Sequence, residues 1–235
     1  MLTVTELKKR FGGLVALQGI SLQVPPRSIL GIIGMNGSGK TTLLNCINGI
    51  YRPDSGRIQL DDDDITGRQI HEVARLGVGR TFQVPRVFAH LSLQDNLDVA
   101  QQQTGRTADE RYAQSEYWLH KVDLHRLRHN HAEELSGGQQ KLLELARIMV
   151  ARPRVVLLDE PFAGVNPSLA QLLIGLIREL PTEHDCAVVL VSHDLTSIYQ
   201  LSHHIVVMNE GAILSEGNAA HVRADTRVIE AYLGA

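Results

Sequence analysis

A glycine-rich loop between an apolar run and a helix-forming stretch constrains the fold of this chain more than any other feature. Residues 29–33 are apolar with strand character, and helix-compatible sequence begins at Lys40. Residues 34–41 match the pattern G-x-x-x-x-G-K-[ST]. The fixed positions of this pattern are Gly34, Gly39, Lys40 and Thr41. A strand, a glycine turn and a helix in this order predict an α/β fold with a ligand site at the turn.

The residue types in this loop suit the binding of phosphate groups. Glycines let successive backbone N–H groups point inward around anionic oxygens, and the following helix directs its positive dipole end at the same place. Lys40 can reach the β- and γ-phosphates, and the Thr41 hydroxyl can bind Mg²⁺. A glycine-rich turn without a ligand is the alternative, and the complete match of the fixed positions disfavours it. We therefore predict a site for a nucleoside triphosphate and Mg²⁺. Its loop residues are Gly34, Asn36, Gly37, Ser38, Gly39, Lys40, Thr41 and Thr42.

Length, charge and composition narrow the class of protein. The chain has 235 residues, enough for one large domain or for one core with a subdomain built into it. Lys and Arg number 23 against 26 Asp and Glu, and aromatic residues make up 4%, so no nucleic-acid partner is expected. No apolar stretch approaches the roughly 20 residues that cross a bilayer. With two cysteines and no signal-peptide pattern, the protein is expected to be cytoplasmic.

The order of strand and helix signals divides the chain into a core and an insertion. Residues 2–10 and 14–24 are predicted to be short strands that form an antiparallel edge. The apolar run 154–158 is typical of a strand buried on both faces of a parallel sheet. Amphipathic helix patterns replace the strand signals in the middle of the chain, where Tyr117 and Trp118 are expected to pack a small core. The predicted parts are a nucleotide-binding core, 1–83 and 152–235, and a helical subdomain, 84–151.

Phe11 lies between the two edge strands and has two interpretations. A lone phenylalanine commonly fills a hydrophobic gap. Its ring can instead form a platform for an adenine base, because aromatic rings stack well on flat π-systems. The residues alone favour neither of these two interpretations.

Polar side chains follow three of the predicted strands. Asp159 and Glu160 come directly after the run 154–158, and ligands of doubly wound sheets bind at the carboxyl ends of strands. Asp159 is therefore predicted to bind Mg²⁺, and Glu160 to polarise the attacking water. Gln83 offers an amide oxygen to Mg²⁺ or water, and His193 can hydrogen-bond the γ-phosphate. We predict Glu160, His193 and Gln83 as catalytic residues, with Gln83, Asp159 and Thr41 on the metal.

A second anion-binding element precedes the helix that begins near residue 140. In this element Ser136, Gly137 and Gly138 offer a hydroxyl and backbone N–H groups at a helix N-terminus. If this element and the phosphate loop cannot meet within one chain, two chains in antiparallel arrangement bring each against the other's nucleotide. Such a pairing closes as a two-fold dimer.

Histidine is frequent in this chain, with 11 residues. His120, His125, His129 and His131 are predicted to occupy exposed helical or loop positions. A metal site made from them is disfavoured, because no cysteine accompanies them.

Together these motifs resemble those of ATP-binding cassette (ABC) ATPases, in the order and spacing of that family. The resemblance covers the whole chain and implies a RecA-like P-loop NTPase core with an antiparallel β edge and an inserted helical subdomain. It implies ATP hydrolysis, with two ATP molecules held between head-to-tail cassettes. It also implies that Phe11 stacks on adenine. Ser136, Gly137 and Gly138 would then contact the γ-phosphate held by the partner chain.

Finer features resemble one group within the family. The loop 163–167, with Asn166 where most cassettes carry Asp, is similar to that of branched-chain amino acid transporter ATPases. The runs 140–147 and 228–234 are similar to that group as well. The resemblance implies an importer subunit for branched-chain amino acids or a related small solute. Urea-type and lipopolysaccharide-type cassettes have similar tails, so the cargo stays open.

The resemblance also implies partners. We expect a second cassette, identical or paralogous, and separate permease subunits, with this chain peripheral on the inner face of the cell membrane. A solute-binding protein is expected in the complete system. Residues 83–99 are predicted to contact the permease through Val87, Phe88 and Leu91, which could instead fill an interface within the chain. A soluble, non-transport ABC ATPase is the second hypothesis, and the lack of a coiled-coil insertion or second cassette disfavours it.

Overall fold

The computed structural model of the protein describes residues 1–102 and 104–233. Gly234 and Ala235, at which the predicted core segment and the family-like tail end, lie outside the described residues. The strands are β1 (Leu2–Phe11), β2 (Leu14–Val24), β3 (Ile29–Ile33), β4 (Ser55–Leu60), β5 (Asp63–Asp64), β6 (Val78–Arg80), β7 (Val155–Asp159), β8 (Ala187–Val191), β9 (His204–Asn209) and β10 (Ala212–Gly217). The α-helices are α1 (Lys40–Ile47), α2 (Ile70–Arg75), α3 (Leu93–Ala100), α4 (Ala108–Lys121), α5 (Gly137–Met149), α6 (Pro167–Glu183), α7 (Leu195–Leu201), α8 (Ala219–Ala224) and α9 (Thr226–Leu233).

A six-stranded sheet in the order β10-β9-β3-β8-β7-β6 forms the centre of the molecule. Strands β9, β3, β8, β7 and β6 run parallel, and β10 pairs with β9 in the antiparallel sense. Every residue of β3, β7 and β8 is buried, as their continuous apolar sequences predict. Asp159 and Ile32 both pair with Val191, so the three strands end nearly level. The segments that follow them therefore emerge at one edge of the sheet.

A four-stranded antiparallel sheet in the order β2-β1-β4-β5 covers this core. The predicted antiparallel edge made by β1 and β2 is confirmed. Leu2 and Ile58 of this sheet share one buried hydrophobic cluster with Ile32 of the central sheet and with Leu43 of α1. The helix after the glycine loop is thus anchored against both sheets, and this packing holds the loop in place.

Helices α3, α4 and α5 form the middle of the chain. Trp118 of α4 is buried, as a core residue of this region should be, whereas the neighbouring Tyr117 is 42% exposed and does not fill the core. Trp118 and Leu143 of α5 belong to the same hydrophobic cluster as Val156 of β7. The division of the chain into a core and a separate subdomain at 84–151 stays a prediction.

Helix α6 begins at Pro167, as the preference of proline for the first helical turn allows, and contains Pro181 in its last turn. The side chain of Asn166 caps it by accepting a hydrogen bond of 3.0 Å from the N–H of Leu169. Within residues 1–102 and 104–233, none of the helices has the length and apolar character needed to cross a membrane.

Candidate nucleotide-binding site

The segments that follow the parallel strands enclose a cavity of about 330 Å³. Lining residues come from the glycine loop, from the edge sheet and from the ends of β7 and β8. Of the residues predicted for nucleotide, metal and catalysis, the cavity is lined by Phe11, Asn36, Gly37, Gly39, Lys40, Thr41, Thr42, Gln83, Asp159, Glu160 and His193. One cleft therefore holds the predicted phosphate ligands beside the predicted carboxylates.

The loop between β3 and α1 curls through left-handed backbone conformations. Gly37 and Gly39 have φ angles of +82° and +103°. A Cβ on Gly39 would lie 2.6 Å from the carbonyl oxygen of Ala16, so only glycine fits there. Gly39 caps α1 without a side-chain hydrogen bond. The first N–H groups of α1 are thus left for an anion. Ser38 is buried behind the loop, and a Cβ on Gly34 would lie 2.6 Å from its hydroxyl oxygen.

Lys40 places a cation at the inner side of this loop. Its Nζ donates to the carbonyl oxygens of Gly34 and Met35 at 2.6 and 2.9 Å. Burial lowers the pKa of Lys40, and the carboxylates of Glu160 and Asp159 partly oppose that shift. The ammonium therefore lies against the loop, in the cleft that Asp159 and Glu160 also line, where a polyphosphate would meet it.

Asp159 is held by an arginine that the sequence argument missed. Nη2 of Arg80 donates to Oδ2 of Asp159 at 3.0 Å, and both side chains are buried. Nη1 of Arg80 donates to Oδ1 of Asn45 on α1 at 2.6 Å. The Asp159 N–H donates to the Thr81 hydroxyl at 3.3 Å. Arg80 thus ties β6 to the end of β7 and to the helix after the loop. The sequence feature that could have indicated Arg80 is the presence of a basic residue within a short apolar strand.

Glu160 occupies the next position with a left-handed backbone, φ +50°. Its Oε2 accepts a hydrogen bond of 3.1 Å from the backbone N–H of His193. Its Oε1 lies 3.1 Å from Nε2 of His193, but the contact is too poorly aligned for a hydrogen bond among the described residues. Burial raises the pKa of Glu160, and the His193 N–H opposes that shift. A carboxylate with a raised pKa and one oxygen without a hydrogen bond among the described residues suits a general base.

Two further residues on α5 hold this region, and both were missed. Lys141 donates through Nζ to the carbonyl oxygens of Glu160 and Ala163. Glu144, which is buried, accepts hydrogen bonds from the N–H groups of Phe82 and Arg86 at 3.4 and 2.9 Å. The helix that starts at the predicted second anion element is therefore bonded to the Glu160 turn and to the loop around Gln83. Charged side chains at i and i+3 share one helix face, which was the available signal.

Burial of Glu144 has an electrostatic consequence. It raises the pKa of its carboxyl to about 7, although the Arg86 and Phe82 N–H groups and the charges of Arg147 and Lys141 act in the opposite direction. The group therefore titrates near neutral pH.

The second anion element lies apart from the described lining of the cleft. Ser136 caps α5 together with Gln139, which is its capping-box partner. Ser136 and Gly137 are exposed, whereas Gly138 packs near Leu169 of α6. The structure does not bring these residues to the cleft of their own chain. This is the arrangement for which a second chain was predicted.

Phe11 stands at the rim of the cleft, where its ring is 41% exposed. It meets Tyr51 edge-on, with ring centroids 5.1 Å apart, and Nζ of Lys9 lies 5.3 Å from its centroid. One face of a half-exposed ring at a rim suits the stacking of a base more than the filling of a gap.

Comparison with known proteins agrees with this geometry. The family model described as ABC transporter matches residues 17–163. The model described as branched-chain amino acid ATP-binding cassette transporter matches residues 212–235. Among solved structures, a nucleotide-free ATP-binding cassette from an ABC transporter has a TM-score of 0.88 and 30% identity, covering 100% of this chain and 99% of its own. A cassette in its ADP conformation has a TM-score of 0.87 and 32% identity, with the same coverage.

Named relatives match over the whole chain. It is 41% identical to the high-affinity branched-chain amino acid transport ATP-binding protein BraF of Pseudomonas aeruginosa, and 40% identical to LivG of Escherichia coli, which has the same description. Each match covers 100% of this chain and 98% of the relative. The lipopolysaccharide export system ATP-binding protein LptB of Acidithiobacillus ferridurans is 33% identical, with 100% and 97% covered. The predicted fold, family and ATPase activity are confirmed: the chain is an ATP-binding, ATP-hydrolysing cassette and belongs to the ABC transporter family.

Proposed function

We propose that this cassette hydrolyses MgATP between two cassettes to drive the import of branched-chain amino acids through separate permease subunits. The location of the hydrolysis site is inferred from one observation. A single cleft joins the glycine loop and Lys40 to Asp159, Glu160 and His193. Two findings support branched-chain amino acids as the cargo. They are the family match of residues 212–235 and the identities of 41% to BraF and 40% to LivG.

The loop and Lys40 bind the phosphates. N–H groups of the loop and of the start of α1 surround the phosphate oxygens. Lys40, already directed by two loop carbonyls, supplies the cation for the β- and γ-phosphates. Phe11 stacks on the adenine ring with its exposed face.

Three oxygen donors around the cleft fit Mg²⁺. The Thr41 hydroxyl, the Asp159 carboxylate and the Gln83 amide all line the same cavity, and hard oxygen ligands are those that Mg²⁺ prefers. When bound, the ion would neutralise charge on the phosphate oxygens. Arg80 bonds Oδ2 of Asp159 and so keeps the carboxylate oriented toward the cleft.

Glu160 and His193 act on the attacking water. Oε2 of Glu160 is fixed by the His193 N–H, and the carboxylate, which lines the cleft, accepts a proton from water. The imidazole of His193 stands beside the carboxylate and can donate to the γ-phosphate. Ser136, Gly137 and Gly138 complete the site from the second cassette, since their exposed helix start offers donors to a neighbouring chain.

Residues 83–99 contact the permease on the inner face of the membrane. In this segment Val84 and Phe88 are exposed by 76% and 47%, and Arg147 lies over the Phe88 ring at 5.0 Å. Val87 packs against the main hydrophobic cluster and Leu91 is half-buried, which makes Phe88 the best anchor of the three predicted residues. Glu144 accepts a hydrogen bond from the backbone N–H of Arg86 in this segment, so a displacement of the segment would be transmitted to α5.

Transport assays test the proposal. Purified cassette, permease and solute-binding protein in proteoliposomes should take up leucine when ATP is supplied. Phe88→Ala should reduce uptake while ATP hydrolysis continues, whereas Tyr112→Ala, an exposed aromatic on α4, should leave both unchanged. Unaltered uptake in the Phe88 variant would remove the docking role.

The identity to LptB makes lipopolysaccharide export the second candidate. ATP-dependent release of lipopolysaccharide from membranes, without leucine uptake, would replace the importer proposal with that one. Urea uptake without leucine uptake would reassign the cargo and keep the importer.

A further inference from the structure

Glu116, His120 and His125 form a compact cluster at the end of α4, away from the nucleotide cleft. Glu116 and His120 lie one turn apart on α4, and His125 follows in a short 3-10 helix, His125–Leu127. Nε2 of His125 lies 2.8 Å from Oε2 of Glu116. The rings of His120 and His125 stack with centroids 3.7 Å apart and planes within 15°.

The turn that ends α4 brings the three side chains together. After α4, the N–H of Asp123 donates to the His120 carbonyl and the N–H of Leu124 to the Leu119 carbonyl, at 3.1 and 2.9 Å. Asp123 has a φ of +55°. This pair of bonds around a left-handed residue is the Schellman arrangement that ends many helices. Leu119 and Leu124 are buried, so the reversal that carries His125 back over α4 is anchored in the core.

The donor set matches a transition-metal ion. Two imidazoles and one carboxylate are ligands that Zn²⁺ accepts, whereas Mg²⁺ and Ca²⁺ prefer oxygen alone. One ligand atom from each residue lies within 4.8 Å of the others. A tetrahedral Zn²⁺ with bonds of about 2 Å holds its ligand atoms roughly 3.3 Å apart. His120 is exposed, so its side chain has room to move toward the other two ligands when an ion binds.

The carboxylate supplies a second observation. Oε1 of Glu116 is buried and has no hydrogen-bond partner among the described residues. A buried carboxylate oxygen without a partner is costly. A cation held between the carboxylate and the two imidazoles would satisfy it.

We propose that Glu116, His120 and His125 bind one divalent transition-metal ion of the Zn²⁺ class. The ion joins the last turns of α4 to the following 3-10 helix. None of the three ligands is among the described residues that line the nucleotide cleft. Metal binding is thus separable from MgATP binding. The absence of a cysteine, which disfavoured a histidine metal site on sequence grounds, does not bear on a ligand set of two histidines and one carboxylate.

Calorimetric titration of Zn²⁺ into the tag-free full chain tests the proposal, with excess Mg²⁺ present. We expect one Zn²⁺ per chain, and binding that is weaker by on the order of tenfold or more in His125→Gln and Glu116→Gln. His129→Gln is the matched control, because this exposed histidine lies outside the cluster, and it should bind as the parent does.

Co²⁺ provides a second measurement, which reports coordination geometry directly. Bound to the parent, Co²⁺ should show visible absorption of a four-coordinate site, and Zn²⁺ should displace it. The exposed position of His120 makes His120→Gln a variant that keeps the fold, and it should lose this spectrum. The proposal is overturned if the parent binds no Zn²⁺, if His120→Gln and His125→Gln bind as the parent does, or if His129→Gln weakens binding equally.

Discussion

The ammonium of Lys141 and the carbonyl of Glu160 lie 2.8 Å apart, and the same ammonium bonds the Ala163 carbonyl at 2.7 Å. Lys141 thereby closes a turn in which Glu160 adopts a left-handed backbone. Such a conformation is unfavourable for a residue with a side chain, and surrounding contacts must maintain it. The position of the proposed general base thus depends on a residue of α5.

Lys141→Met should lower the turnover number for ATP by roughly tenfold or more, since a small displacement of a catalytic group is costly. KM for ATP should change little, because the phosphate loop is untouched. Steady-state ATPase assays at saturating ATP measure this split. Lys141→Arg keeps a donor on a long stem and should recover much of the rate. A normal turnover number in Lys141→Met would show that the turn keeps its shape without the ammonium.

Glu160→Gln should reduce ATP turnover by on the order of 10² to 10⁴ while nucleotide binding persists, because an amide cannot accept the proton of water. The variant should accumulate as a dimer with ATP, which size-exclusion chromatography detects. Glu230→Gln changes an exposed carboxylate on α9 and serves as the control. Wild-type turnover by Glu160→Gln would assign the base to another group.

Arg80→Met should destabilise the fold by about 3–5 kcal/mol, because Asp159 is then left as a buried charge without its partner. The free energy of unfolding from urea titration measures this loss. Arg57→Met breaks an exposed pair with Asp64 and should have little effect. Equal stability of the two variants would mean that water or another group satisfies Asp159.

The raised pKa of Glu144 predicts a pH dependence of stability. Because the folded state holds this proton up to about pH 7 and the ordinary value is 4.5, the stabilisation is present at low pH and is lost as pH rises between these values. In the parent this loss is on the order of 3 kcal/mol.

Glu144→Gln lacks the titrating group, so its free energy of unfolding minus that of the parent should grow with pH over this range. Urea titrations at several pH values, on both proteins, measure the difference. A difference that is constant with pH would show that the carboxyl titrates normally.

Local patterns predicted most of the fold. The loop at Gly34–Thr41 and the buried strands β7 and β8 depend on residues that are neighbours in sequence, and such periodicity can be recognised without a structure. The contacts that were missed join distant segments. Arg80 meets Asp159 across 79 positions and Glu144 meets Arg86 across 58. Local sequence can mark Arg80 and Glu144 as unusual, but it cannot identify their partners, because only the packing of α5 and β6 against the sheet brings each pair together.

The sequence-based prediction of which side chains are buried was also wrong in one place. Tyr117 and Trp118 are adjacent aromatic residues on one helix, and both were expected in the core. Successive helical positions point about 100° apart, so the core takes only one of them. The same geometry brings Glu116 and His120 together, since they are four residues apart.

Helix α5 has its first turn exposed at Ser136, yet its flank is bonded to the Glu160 turn and the Gln83 loop of the same chain. In the head-to-tail pair that we propose, that first turn would face the nucleotide of the opposite subunit. Each α5 would then have its N-terminus in the neighbouring subunit's nucleotide site, while its side chains hydrogen-bond the site of its own subunit. Release of phosphate beside the N-terminus of one α5 would move that helix and, with it, the general base of the helix's own subunit. The two hydrolysis events should therefore alternate or cooperate rather than proceed independently.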